Sequence, residues 1–354
     1  MKAQIKPRIE LENRTKLEEV IPLRVPFTVF VDPADSCNFT CKFCPTGDRE
    51  LMKEVGRPLK QMSLDLFKKI VDDLKELDHP IKVLRMYKDG EPLLNPHFAE
   101  MVRYAKSQNV AYQIDTTTNA SLMNPKRNLE IIEAGLDRIN ISIEGVNKEQ
   151  YLDFAGYKGS YDKLRDNIQH FYDNSRGKCE MAIKICGDTI SEDDKKKFFT
   201  DFGDMCDRIF IEHIAPCWPE FDMSRGVSPN QTTGIYGQKL QRTEVCPYIF
   251  YSLAINSDGK VSACFLDWSR SLIFGDMNQD KFTDIWFGKQ LYDFRMMHLN
   301  KLRHKDSTCR SCGQLTHCLP DSIDDYADGL IAKMEELHPH YAEPQMVNLV
   351  ESLV

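Results

Sequence analysis

No stretch of this chain approaches the roughly 18 consecutive apolar residues that a membrane span requires. The N-terminus, Met1-Lys2-Ala3-Gln4-Ile5-Lys6-Pro7, also lacks the apolar core of a signal peptide. Positive charge is not in excess: 46 Lys and Arg stand against 54 Asp and Glu, a net charge of −8. That removes the electrostatic reason to expect nucleic acid or an anionic membrane as partner. Short basic runs such as Lys195-Lys196-Lys197 follow Asp193 and Asp194 and read as solvated helix faces. Internal repeats beyond a βα alternation, and low-complexity segments, are missing too. Cysteine is plentiful. Twelve in a chain without a leader suit metal ligands and free thiols better than a disulfide framework, so a reducing, cytoplasmic location is expected.

At 354 residues, 42% hydrophobic and 28% charged, the chain is long enough for one large globular domain and a smaller one. The runs Phe27–Val31, Ile81–Tyr87, Val110–Asp115, Arg138–Ile143, Met181–Cys186 and Ile209–Ile214 predict six strands. Helices are expected from Ser63, over 96–108, from Asn124-Pro125 to Gly135, from Asn147, from Ser160 and over 191–206. Strands alternating with helices argue for a parallel α/β sheet, whose functional groups gather where strands meet the following loops. Residues 1–25 read as an extension interrupted by prolines. From about 226 the texture changes: a polar connector, a strand-like run over 248–255, the turn Asn256-Ser257-Asp258-Gly259, which signals a hairpin, then helices over 282–297 and about 322–337. The expected units are 1–25, 26–225, 226–320 and a helical tail, 321–354.

Three cysteines, Cys37, Cys41 and Cys44, lie within eight residues. Soft thiolates select iron–sulfur clusters, zinc or copper(I). A cubane takes four cysteines as a rule, so a trio leaves one metal corner open, whereas a structural zinc site closes all four positions. A zinc knuckle or three buried cysteines are the alternative readings. A second set comprises Cys246, Cys264 after Gly259, Cys309, Cys312 and Cys318, for which a zinc ribbon is the alternative. Cys179, Cys186, Cys206 and Cys217 read as small buried hydrophobes, although Cys186 and Cys217 close the last two predicted strands.

The C-x3-C-x2-C spacing, with Phe43 before the last cysteine, resembles the signature of the radical SAM superfamily. The second set resembles the SPASM/twitch extension that follows the catalytic domain in some members. The resemblance implies an open six-unit (β/α)6 partial barrel, followed by a small β-hairpin-plus-helix auxiliary domain. It implies a [4Fe–4S] cluster on Cys37, Cys41 and Cys44, whose open iron binds S-adenosylmethionine and yields a 5′-deoxyadenosyl radical. It also implies one auxiliary [4Fe–4S] cluster on Cys246, Cys264, Cys309 and Cys312, with Cys318 as a replacement ligand or a spare thiol. No cysteine follows Cys318, so the full seven-cysteine pattern is not met and a second auxiliary cluster is not expected. Gly90-Glu91-Pro92 is similar to the family's methionyl-ammonium segment, with Asp89 in place of its first glycine. Asn119, Ser142 and Glu144 are similar to positions lining the same pocket.

Cys217 is the expected thiol for returning hydrogen to a substrate radical. The expected substrate is a small polar molecule (a sugar, aminocyclitol or nucleotide-linked sugar), with a flavodoxin- or ferredoxin-type reductant. Redox or epimerisation chemistry would follow. Ribosomal-peptide modification is the alternative enzyme reading, and a non-catalytic zinc scaffold the alternative outside enzymes.

Overall fold

The structure, a computed structural model, describes residues 1–318, 321–339 and 341. Its spine is one ten-stranded sheet. The strands are β1 (Gln4–Ile5), β2 (Thr28–Val31), β3 (Ile81–Arg85), β4 (Ala111–Thr118), β5 (Arg138–Ile143), β6 (Glu180–Cys186), β7 (Arg208–Glu212), β8 (Ser252–Ile255), β9 (Lys260–Ser262) and β10 (Ile273–Asp276). Strands β2 to β7 lie side by side in chain order, all parallel. The crossovers carry helices Leu64–Leu74, Phe98–Gln108, Pro125–Ala134, Tyr161–Ser175 and Glu192–Phe202. These six units are the expected partial barrel.

Local chemistry explains the elements. The Ser63 hydroxyl accepts the Leu66 N–H and starts its helix, which buries Phe67, Ile70, Val71 and Leu74. Asn124 accepts the Arg127 N–H, Pro125 occupies the first turn, and Gly135 ends the helix at φ +89°. Along β5, Ile139, Ile141 and Ile143 enter the hydrophobic core, which leaves Arg138, Asn140 and Ser142 on the opposite face by the two-residue period. Each such isoleucine contributes roughly 1.5–3 kcal/mol by burial.

The structure departs from the sequence expectation in several places. The N-terminal extension supplies β1, which pairs in parallel with β7 through Gln4↔Arg208 and Ile5↔Ile209. β4 continues through Thr116–Thr118, β-branched residues that pair with Ile139–Ile141 of β5. Only the second half of the 248–255 run is strand; Tyr248–Tyr251 is a helical turn opened by Pro247. β8 pairs in parallel with β2 and antiparallel with β9, so the sheet passes without interruption from the barrel into the auxiliary segment. The expected hairpin turn is present, with Gly259 at φ +90°. β10 had no counterpart in the sequence reading.

The helix expected over 282–297 is two, Phe282–Trp286 and Lys289–Leu299. The break falls at Gly288, where a Cβ would lie 2.5 Å from the Asp284 carbonyl oxygen. The helix Ala327–Leu337 falls within the expected tail; residues 342–354 of that tail lie outside the described residues. Among the described residues no helix is long and apolar enough to cross a membrane.

Candidate active site

The loop after β2 carries Cys37, Cys41 and Cys44, and neighbouring elements pin it. The Thr40 and Lys42 N–H groups donate to the carbonyls of Ala155 and Phe154, at 2.8 and 3.1 Å. Arg49 donates to the Cys37 carbonyl and, at 3.3 Å, to that of Phe39. Gly47 lies so close to the Cys41 backbone that a Cβ would stand 2.5 Å from its oxygen. Phe43 packs against Phe154 with ring centroids 5.5 Å apart. Burial pushes the Cys37 thiol up to about 12, with further contributions from Glu91 and Cys44. Cys41 and Cys44 are raised chiefly by burial as well.

The segment after β3 meets this loop directly. Glu91 N–H donates to the Ser36 carbonyl at 2.9 Å. The Glu91 carboxylate accepts from Leu93 N–H (3.0 Å), the Thr118 hydroxyl (2.7 Å) and Asn119 N–H (2.8 Å). Despite three donors, burial holds its pKa above the ordinary value. Pro92 opens the short 3-10 turn Pro92–Leu94, which Glu91 caps. Asn119, at the end of β4, donates to Cys37 Sγ at 3.8 Å and to Asn38 Oδ1 at 3.0 Å. The trio, Gly90, Glu91 and Asn119 are therefore one connected unit. Asn119→Ala removes a donor to the Cys37 sulfur. Since partners behind a ligand tune it by 10–100-fold, SAM cleavage is expected to fall roughly 10-fold with iron content unchanged, read by deoxyadenosine and iron assays.

Glu144 follows β5 and lines a cleft of about 320 Å³ with Lys42, Phe154, Asp188 and Val227. Burial, offset in part by Lys184, raises its pKa to about 7. Ser142 pairs with Lys184 across β5 and β6. Lys184 reaches Glu212 at 2.9 Å, and Arg8 from the N-terminal extension reaches the same carboxylate at 3.4 Å. Because the folded Glu144 holds its proton more tightly than the unfolded one, its penalty is absent below pH 4.5 and grows as pH rises through about 7. Glu144→Gln is expected to gain about 1–3 kcal/mol over the parent at pH 8 and nothing at pH 4, read from urea midpoints.

The second cysteine set is built from four pieces of chain. Cys246 N–H donates to His298 Nδ1 at 3.4 Å, and Cys264 Sγ accepts from Leu266 N–H at 3.4 Å. Asp306 caps the short helix Ser307–Ser311 by accepting the Cys309 N–H at 2.8 Å. Cys312 ends that helix. Charge on Cys246, Cys264 and Cys312 would raise Cys309, after the larger effect of burial. The Cys318 thiol feels Cys217 most strongly, and Cys312 of this set as well. Cys217 is thus carried past the end of β7 to the auxiliary loops, and Cys312 Sγ lies 3.8 Å from its carbonyl oxygen. Cys186 remains at the barrel, in a small apolar cluster with Phe154, Ile214, Met223 and Val227, on which Phe43 packs.

Sequence reading missed a buried charge network at the join of the two parts. Lys88 pairs with Asp89 and donates to the Asp267 carbonyl at 3.0 Å. Arg270 bridges Asp35 and Asp258. Burial, then Asp89, pushes Asp32 up to about 8. Asp89, the residue that departs from the family's glycine, is therefore occupied in holding the lobes together.

Residues 31–197 match the family model described as the radical SAM superfamily, and residues 246–313 match SPASM, an iron–sulfur cluster-binding domain. The chain belongs to the radical SAM superfamily. Its cofactors are accordingly a SAM-binding [4Fe–4S] cluster, SAM and an auxiliary iron–sulfur cluster. The donor sets fit, with three thiols on one loop and four more around another point of the fold. Among the described residues no three His, Cys, Asp or Glu side chains gather as ligands of a single ion; a cubane takes each thiolate at a separate iron.

The chain is 23% identical over 330 residues to the tungsten-containing aldehyde ferredoxin oxidoreductase cofactor-modifying protein of Pyrococcus furiosus, covering 82% of this chain and 88% of that one. Several other curated relatives are matched over only 34–43% of their own length. Among solved structures, BtrN in complex with AdoMet and 2-DOIA aligns over 85% of this chain and 98% of its own, at 17% identity and a TM-score of 0.53. SuiB of Streptococcus suis bound to its precursor peptide SuiA aligns over 86% and 73%, at 14% identity and a TM-score of 0.55. These two likenesses concern the fold.

Proposed function

We propose that this enzyme abstracts hydrogen from a small polar substrate, such as a sugar, aminocyclitol or nucleotide-linked sugar, for redox or epimerisation chemistry. The observation that carries this reading is the polar inner face of the barrel. There Arg85 pairs with Asp115 at 3.1 Å, and Lys184 and Arg8 converge on Glu212. Buried polar atoms left without hydrogen-bond partners line the same strands: Asp115 Oδ1, Thr117 Oγ1, Asn140 Oδ1 and both Glu212 oxygens. Glu212 meets its cations within ion-pair distance but outside hydrogen-bond geometry. Such atoms suit hydroxyl and amino groups of a ligand.

In this reading residues 26–225 hold SAM and its cluster, and 226–320 hold the auxiliary one. Cys37, Cys41 and Cys44 are the ligands of the first cluster; Cys246, Cys264, Cys309 and Cys312 are those of the second. SAM and its cluster, when bound, supply the 5′-deoxyadenosyl radical. The Glu91 segment and Asn119 fix the loop that carries the trio. Phe154, with Phe43 packed against it, walls the cleft against water, and Ser142 and Glu144 face the bound cofactor. A flavodoxin- or ferredoxin-type protein supplies electrons in the cytoplasm.

Peptide modification is the second reading, favoured by the likeness to SuiB in its peptide complex. Anaerobic turnover with SAM and dithionite separates the two. Deoxyadenosine formation that rises with a sugar or aminocyclitol supports the first, and a rise only with a peptide substrate replaces it.

A further inference from the structure

Cys217 and Cys318 lie outside both family-matched segments, 31–197 and 246–313, and neither belongs to the two ligand sets proposed above. The fold nevertheless brings them together. Ile235 joins their two loops, donating its N–H to the His317 carbonyl and accepting the His213 N–H, each at 2.8 Å. Gly313 is pressed so closely on Pro216 that a Cβ would stand 1.9 Å from the Pro216 oxygen. Cys312 Sγ lies 3.8 Å from the Cys217 carbonyl. Each thiol is the strongest electrostatic influence on the other, and Cys318 is 7% exposed. On the barrel side Cys217 feels Lys184 and Arg8, and Cys318 feels Glu212. The pair is thus lodged between the charged inner face of the barrel and Cys312 of the auxiliary set.

We propose that Cys217 and Cys318 are a redox-active dithiol, distinct from both sets of cluster ligands, that closes to a disulfide. Closure occurs by thiol–disulfide exchange with a low-molecular-weight disulfide such as oxidised glutathione. Two S–H bonds break and one S–S bond forms within the protein. Two electrons reduce the glutathione disulfide to two thiols, which take up the two protons. The intermediate is a mixed disulfide on Cys217, the less buried of the two, which Cys318 resolves. Closure would tie the chain leaving β7 to the loop after Cys312 by a covalent bond. The mouth of the barrel and the auxiliary ligand loop would then be locked in one relative position.

The test uses the iron-loaded full chain, equilibrated anaerobically in buffers of reduced and oxidised glutathione. Free thiols are alkylated, and the peptides bearing Cys217 and Cys318 are mapped by mass spectrometry while iron and the visible spectrum are recorded. The expected result is a linked Cys217–Cys318 peptide, lighter by two hydrogens than the separate thiols, which rises with the oxidised fraction while iron stays constant. Cys217→Ser and Cys318→Ser should each lose the linked peptide and keep the parent's iron and chromophore. Independent alkylation of both thiols at every glutathione ratio overturns the proposal. So does loss of auxiliary iron in Cys318→Ser, which would make Cys318 a cluster ligand. Neither outcome depends on substrate, so failure here leaves the substrate reading untouched.

Discussion

The Cys37/Cys41/Cys44→Ala chain is expected to form no 5′-deoxyadenosine from SAM and dithionite, and to hold about four irons where the parent holds about eight, counting one cubane per ligand set. All three thiols sit on one loop, half-buried, with Cys37 and Cys41 at the edge of the core, while the loop's large core side chain is Phe39, which the variant keeps. The loop backbone is fixed by Arg49, by the Ala155 and Phe154 carbonyls and by the close approach of Gly47, none of which needs a sulfur. The variant should therefore fold, and its residual iron should report the second set alone. A mirror experiment, Cys246/Cys264→Ala, should lose the other four irons, again counting one cubane, and keep deoxyadenosine formation without substrate. Iron at the parent's level in the first variant would remove these cysteines as ligands, and deoxyadenosine from it would remove the radical assignment.

Much of this was legible in the sequence because the signals were local. Alternation in Arg138–Ile143 gave β5 its faces, and Ser63, Asn124, Asn147 and Ser160 capped the helices expected of them. What escaped depends on partners far along the chain. Gln4 and Ile5 carry almost no strand signal and become β1 only because the edge of β7 is open to them. β8 was foreseen as half a hairpin, yet its other edge pairs with β2. Helix-like composition over 282–297 concealed the tight approach at Gly288. Asn119 was read as a pocket residue, but its contact with Cys37 needs the end of β4 and the loop after β2 to meet. Asp89 looked like a flaw in a motif; its ion pair with the adjacent Lys88, which also reaches the Asp267 carbonyl, makes it a tie between lobes. Cys217 was read from its place after a strand, and a strand's end does not fix where the next turn of chain leads.

Gly90→Ala carries the second large effect. An added Cβ at this position would lie 2.0 Å from the Ala34 carbonyl oxygen and 2.3 Å from that of Ser36. Both obstacles are backbone, and both belong to the residues leading into Cys37, so no flexible side chain can swing away. Overpacking costs typically 1–3 kcal/mol when side chains can yield; with backbone on both sides about 3 kcal/mol or more is expected. The strain has one cheap outlet, separation of the turn after β3 from the loop after β2. That separation breaks the Glu91 N–H to Ser36 bond and pulls Glu91 away from Thr118 and Asn119, which hold it. The variant should unfold at lower urea and lose deoxyadenosine formation with the trio's iron, while iron on the second set, beyond the β2–β8 pairing, is retained. Uniform loss of iron from both sets would mean that the whole sheet had failed. Full iron with normal SAM cleavage would mean that the turn after β3 is not what seats the cysteine loop.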